Sequence, residues 1–156
     1  MLKTILKPWG VETIVFFLVL WQEDIRLRLR TEGWHLPVPK VLEQFYYFQF
    51  GDFVNGYVFA FVIDGLADVV ISALQKQATA DFTHVWRRQI VSALVATSVS
   101  TLIIIAFELK SSSFTTADLQ DIPAGIIGAL LFLSLRLIML KFRYNRKSSA
   151  LSKMFL

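Results

Sequence analysis

Four stretches of the chain are apolar over a length that predicts membrane-crossing helices. They cover residues 8–21, 53–74, 90–109 and 122–142. A bilayer core is about 30 Å thick, so an α-helix needs about 20 residues to cross it. The first stretch is shorter than this, and the other three reach it. The pattern predicts an all-α integral membrane protein, a bundle of about four transmembrane helices in one membrane domain, 1–156.

The segments that flank the first stretch indicate an uncleaved anchor followed by a polar connection. No small-x-small cleavage motif follows IVFFLVLW; the next residues are QEDIRLRLR, so a signal peptide is not predicted. Residues 22–52 are expected to form an outward polar loop. Within it, IRLRLR alternates apolar and basic positions, which favours either a short strand or a surface segment lying on lipid. The aromatic run before the second stretch is typical of a membrane interface.

Composition narrows the function classes. The chain is 55% hydrophobic and only 18% charged, against roughly 45–50% and about 25% in soluble domains. Because cysteine is absent and the two histidines are far apart, neither a disulfide framework nor a zinc site is expected. No cofactor is predicted. No motif marks a nucleophile, so the sequence leans against an enzyme without deciding the question.

The distribution of Lys and Arg predicts the orientation. With four spans, ten of these residues fall on the side of both termini and five on the other side. The positive-inside rule therefore places both termini in the cytoplasm, including a basic tail, 143–156, and places the loop 110–121 outside. The net charge of +4 is explained by attraction to anionic membrane lipid, so nucleic acid is not expected as a partner.

Acidic and amide side chains gather at the predicted outward ends of the spans. We call this set the outer cluster: Asp52, Asn55, Glu108, Asp118 and Asp121. Its members are far apart in sequence but at one predicted depth. The cluster is a candidate site for a cationic group, a divalent ion or a polar lipid head group. The alternative is that Asp121 caps a helix and that Glu108 is a solvated helix end.

A second set of charged residues lies within the predicted spans or at their inner side. Asp64 and Asp68 are four residues apart and share one helix face, and Arg136 is predicted at a matching depth. Glu12 belongs to the same set. Because a lone arginine in the membrane is costly, an intramembrane ion pair of Arg136 with Asp64 or Asp68 is expected. A proton or ion pathway is the alternative.

The order of these residues resembles the VanZ-like membrane proteins. The family has an acidic residue that ends one span, a short loop, and two aspartates before a span rich in small residues. Here these are Glu108, Asp118 and Asp121, followed by AGIIGA, and an earlier family signature is echoed by DFVNG at 52–56. The resemblance covers roughly residues 50–135. It implies a small bacterial membrane protein linked to glycopeptide resistance, with no settled mechanism.

Three functional hypotheses follow. The first is a VanZ-like protein of the bacterial cytoplasmic membrane that binds or organises a lipid or cell-envelope ligand at the outer leaflet. The second is a small accessory subunit of a larger membrane complex, which would make other membrane subunits its partners. The third is a small carboxylate-based transporter or enzyme.

Overall fold

The computed structural model describes residues 10–74, 82–109 and 121–154, and the side chains among them except those of 71–74, 82–85 and 146–154. The described residues form four continuous helical rods. Their elements are α1 (Gly10–Glu32), α2 (Lys40–Gln44), a π-helical turn (Phe45–Gln49), α3 (Phe50–Leu74), α4 (Phe82–Leu109) and α5 (Asp121–Met154), with α2, the π-helical turn and α3 running on without a break. No strand occurs in these residues, in agreement with the predicted all-α class.

The segment predicted as an outward polar loop, 22–52, is mostly helical. α1 continues through IRLRLR to Glu32, so the strand hypothesis for these residues is wrong. Helical spacing brings Arg26 beside Glu23, one turn earlier, where the two side chains form an ion pair. This ion pair and the burial of Arg26 against the neighbouring helix favour a helix here over the strand that the alternation of six residues suggested. Only residues 33–39 separate α1 from α2.

α1 ends in a Schellman motif. Gly33 has a positive φ of 69°, and its N–H donates to the carbonyl of Arg30 while the N–H of Trp34 donates to the carbonyl of Leu29. Glycine reaches this left-handed conformation without a side-chain clash. The chain therefore reverses direction sharply after Glu32, and α1 runs antiparallel to α3.

The three longest helices form the centre of the bundle through contacts between small residues. α3 and α5 run parallel, and α4 runs antiparallel to both. A Cβ on Gly56 would lie 1.9 Å from the carbonyl oxygen of Gly125, and a Cβ on Gly128 would lie 1.9 Å from that of Phe53. Ser100 of α4 donates a hydrogen bond of 3.1 Å to the carbonyl of Gly56. Small residues thus bring the helix backbones together, as is usual where both helices face lipid.

In the described part of the chain, three helices are long and apolar enough to cross a membrane. They cover Lys40–Val70, Trp86–Leu109 and Asp121–Asn145. The protein is therefore a multi-pass membrane protein. α1 is not among the three because charged residues lie along it, yet it packs on the others: Val19 belongs to the buried core, and the ring of Phe16 stacks on that of Phe61.

Candidate functional site

Three helix ends meet at one end of the bundle. Asp52 lies in the first turn of α3, Glu108 in the last turn of α4, and Asp121 begins α5. The charges of both Asp121 and Glu108 act on the carboxyl group of Asp52. The structure thus brings these three members of the outer cluster together, whereas Asp118 lies outside the described residues.

A groove between α3 and α4 opens at this end. Its volume is about 240 Å³, and its walls are formed by Asp52, Asn55, Phe59, Ile104, Phe107 and Glu108. We call it the α3–α4 groove. Asp52 and Glu108 lie nearest the helix ends, and Phe59 and Ile104 lie one to two helical turns deeper, whereas Phe107 lies beside Glu108. Phe107 and Asn55 are exposed, so the groove opens toward the surroundings of the bundle.

Arg26 is the basic side chain from α1 that reaches this end. It is buried, donates to both carboxylate oxygens of Glu23 and donates to the carbonyl of Tyr47 in the π-helical turn. Its charge also attracts Asp52. Because Glu23 already neutralises much of the charge of Arg26, Arg26 offsets the negative charge of the carboxylates at the helix ends only in part. The groove end keeps a negative character, which favours a cationic ligand.

A second polar centre, the buried ion cluster, surrounds Arg136. This side chain is 0% exposed. Its Nε lies 3.0 Å from an Asp64 oxygen, and its terminal nitrogens lie 3.8 Å from Asp68 and 3.6 Å from Glu12. Ser92 donates a 2.7 Å hydrogen bond to the other Asp64 oxygen. The best geometry is therefore that of Arg136 with Asp64, and Asp68 and Glu12 contribute at longer range.

Glu12 joins α1 to this cluster. Both of its carboxylate oxygens are buried and make no hydrogen bond within the described residues, although the charges of Arg136 and Arg143 act on them. Its backbone carbonyl accepts a 2.9 Å hydrogen bond from Tyr57. A carboxylate in this setting is stabilised by charge more than by hydrogen bonds, so its energetic contribution depends on Arg136 staying in place.

Sequence reasoning missed several side chains of the two sites. Arg88 lies 3.9 Å from Asp68, and Ser92, four residues later, donates a hydrogen bond to Asp64. Their i, i+4 spacing on one helix face, opposite Asp64 and Asp68, is the signal that links them. Arg26 was noted only as one basic residue of IRLRLR, and nothing in the local pattern distinguishes it from Arg28 or Arg30.

The groove and the ion cluster are separate sites. Asp52 and Asp64 are twelve residues apart on one helix, which corresponds to about 18 Å along its axis. Among the described residues, no three His, Cys, Asp or Glu side chains are close enough together to hold a metal ion. Neither a protein-family model, nor a curated protein, nor a solved structure matches the chain.

Proposed function

We propose that this protein lies in a bacterial cytoplasmic membrane and binds the cationic head of an amphiphilic cell-envelope ligand in the α3–α4 groove. The observation that carries the proposal is the two-part lining of the groove. The carboxylates of Asp52 and Glu108 lie at the helix ends with the amide of Asn55 nearby, whereas Phe59 and Ile104 lie one to two helical turns deeper. The ring of Phe107 adds apolar surface beside Glu108. The polar part suits an ammonium group, and the apolar part suits a hydrocarbon chain.

The bundle supports this proposal because it keeps the acidic groups together. Three carboxylates at one end repel one another, and the cost is lowest when a cation is shared among them. Asp121 starts α5, where the positive end of the helix dipole favours a negative charge. A ligand amine would add the positive charge that Arg26, bound to Glu23, supplies only in part.

A fourth span and an outward-facing groove are part of the proposal. Two charges of α1 that are buried in the bundle have partners there: Arg26 pairs with Glu23 of the same helix, and Glu12 lies beside Arg136 of α5. Paired charges that face a bundle interior are tolerated in membranes. The excess of Lys and Arg on the other side then directs the groove outward.

The VanZ-like assignment and its link to glycopeptide resistance stay predictions from the sequence. Two residues that carry the resemblance, Asp52 and Glu108, line the α3–α4 groove. This is the reason that the proposal assigns the ligand to the groove and not to the buried ion cluster.

The test is binding of a single-chain amine to the purified protein. Dodecylamine, which is protonated at neutral pH, is titrated into protein held in phosphatidylcholine nanodiscs, and the melting temperature is followed. Dodecanol, of the same chain length and without charge, is the ligand control. We expect stabilisation by the amine only. Glu108→Gln keeps the side-chain shape and removes the charge. Since a hydrogen bond to a charged group contributes about 1.5–3 kcal/mol, the dissociation constant should rise about tenfold to a hundredfold.

Glu32→Gln is the matched protein control. Glu32 is an exposed carboxylate at the end of α1 and does not line the groove, so this variant loses the same charge and should bind the amine like the wild type. Equal stabilisation by dodecanol, or unchanged amine binding in Glu108→Gln, would show that the groove is not a cation site.

A further inference from the structure

The turn between α1 and α2 borders a second cavity, of about 320 Å³, which is open to the surroundings of the bundle. It is larger than the α3–α4 groove and shares no residue with it. We call it the turn cavity. Its lining includes the side chains of Arg30, Trp34, His35, Glu43, Tyr47 and Phe48.

Hydrogen bonds across the turn hold the walls of this cavity in place. The hydroxyl of Tyr47 donates to the carbonyl of Trp34 over 2.6 Å. The carboxylate of Glu43 accepts from the backbone N–H of Leu36 over 3.0 Å and lies 3.1 Å from the ring of His35. These bonds tie residues 34–36 to the start of the next helix. The walls of the cavity are therefore held in place by the fold, and the Glu43 carboxylate already accepts a hydrogen bond from within the turn.

Arg30 brings a positive charge to the cavity without a carboxylate partner. Its guanidinium lies over the ring of Phe48, 5.2 Å from the ring centre. Within the described ranges it forms no ion pair, whereas Arg26 pairs with Glu23 and Arg28 with Asp24. A guanidinium that lies over a ring can still donate its N–H groups to an anion, and its planar fork matches a phosphate.

The surroundings of Arg30 place this charge at a membrane interface. The cavity adjoins the beginning of the Lys40–Val70 helix, which is long and apolar enough to cross a membrane. We expect the lipid head groups at the end of such a helix. Trp34 and Phe48 are 61% and 62% exposed, and aromatic side chains at this level commonly contact lipid between the head group and the acyl chains. An anion at Arg30 would thus have apolar surface directly beside it.

We propose that the turn cavity binds the phosphate of an anionic phospholipid. Arg30 donates hydrogen bonds to the phosphate, and Phe48 holds the guanidinium in position. Trp34 contacts the glycerol and the upper part of the acyl chains. Charge complementarity selects an anionic lipid, since the zwitterionic head group of phosphatidylcholine carries its own cation. The exposed rings select a lipid over free phosphate. This site does not depend on the α3–α4 groove, and its test uses other residues and another lipid charge.

The experiment compares lipid retention by two arginine variants of the same helix. The full chain is purified in neutral detergent with equal amounts of phosphatidylglycerol and phosphatidylcholine, and bound lipid is counted by native mass spectrometry. The wild type should retain phosphatidylglycerol preferentially. Arg30→Gln should lower this preference about tenfold, the effect of losing one charge-assisted contact. Arg28→Gln removes the same charge from an exposed residue paired with Asp24 and should leave the preference unchanged.

Two further measurements separate a site from a general charge effect. Arg30→Lys keeps the charge and removes the planar fork, so it should fold like the wild type and show an intermediate preference. Inorganic phosphate at millimolar concentration should not displace the lipid. The proposal is wrong if the two glutamine variants lose the preference equally, if the wild type retains both lipids equally, or if inorganic phosphate displaces phosphatidylglycerol.

Discussion

Replacing Arg136 by leucine should destabilise the protein strongly. Arg136 is fully buried and lies within 4 Å of three carboxylates, those of Glu12, Asp64 and Asp68. Leucine would leave this acidic group without its central cation in a low-dielectric setting. Removing one partner of a buried ion pair costs about 3–5 kcal/mol. At about 2–4 °C per kcal/mol for a chain of this size, the melting temperature should fall by about 6–20 °C.

The second variant tests whether this loss comes from the pairing with Asp64. Asp64→Asn keeps the hydrogen-bond acceptor for Ser92 and removes one of the carboxylates. The double variant, Arg136→Leu with Asp64→Asn, should therefore recover part of the stability, with a coupling of about 1–3 kcal/mol. Thermal unfolding in mild detergent, followed by circular dichroism, measures all four members of the cycle.

The control for this cycle is the exposed pair of Arg28 and Asp24, whose atoms are 2.9 Å apart. Arg28→Leu should change stability by no more than about 1 kcal/mol, because an exposed ion pair contributes little. If the effects of Arg136→Leu and Asp64→Asn on stability are strictly additive, the two residues do not stabilise each other. A loss of stability in Arg136→Leu no larger than that in Arg28→Leu would also show that the buried ion cluster does not stabilise the fold.

Two other predictions concern helix packing and orientation. Gly56→Ala should separate α3 from α5 and lower stability by about 1–3 kcal/mol or more, since the new Cβ would lie 1.9 Å from a backbone oxygen; Gly10→Ala, whose Cβ meets its nearest neighbour at 3.9 Å, is the control and should melt like the wild type. Reporter fusions should give a cytoplasmic signal at the C-terminus and an outward signal in the loop 110–121, and an outward C-terminus would reverse the proposed topology.

The apolar runs predicted the central helices well. The thickness of the membrane sets the number of residues that a crossing helix needs, and the length of each apolar run can be compared directly with that number. The stretches 53–74, 90–109 and 122–142 fall within α3, α4 and α5. Matched depth was also sufficient to anticipate Arg136 beside Asp64, since position along a straight helix follows directly from residue number. The segment 22–52 was not predicted correctly, because a short alternation of apolar and basic residues fits one face of a helix as well as a strand.

Tertiary structure decided the roles of residues whose local sequence is equivalent. IRLRLR contains three arginines at alternate positions: Arg26 is buried between Glu23 and the π-helical turn, Arg28 forms an exposed ion pair, and Arg30 lies on the ring of Phe48. The sequence alone determined that the chain is helical and crosses a membrane, since hydrophobic length and backbone hydrogen bonding are local requirements. Which charge meets which partner depends on how neighbouring helices are rotated and how closely they pack, and only the folded bundle sets these distances.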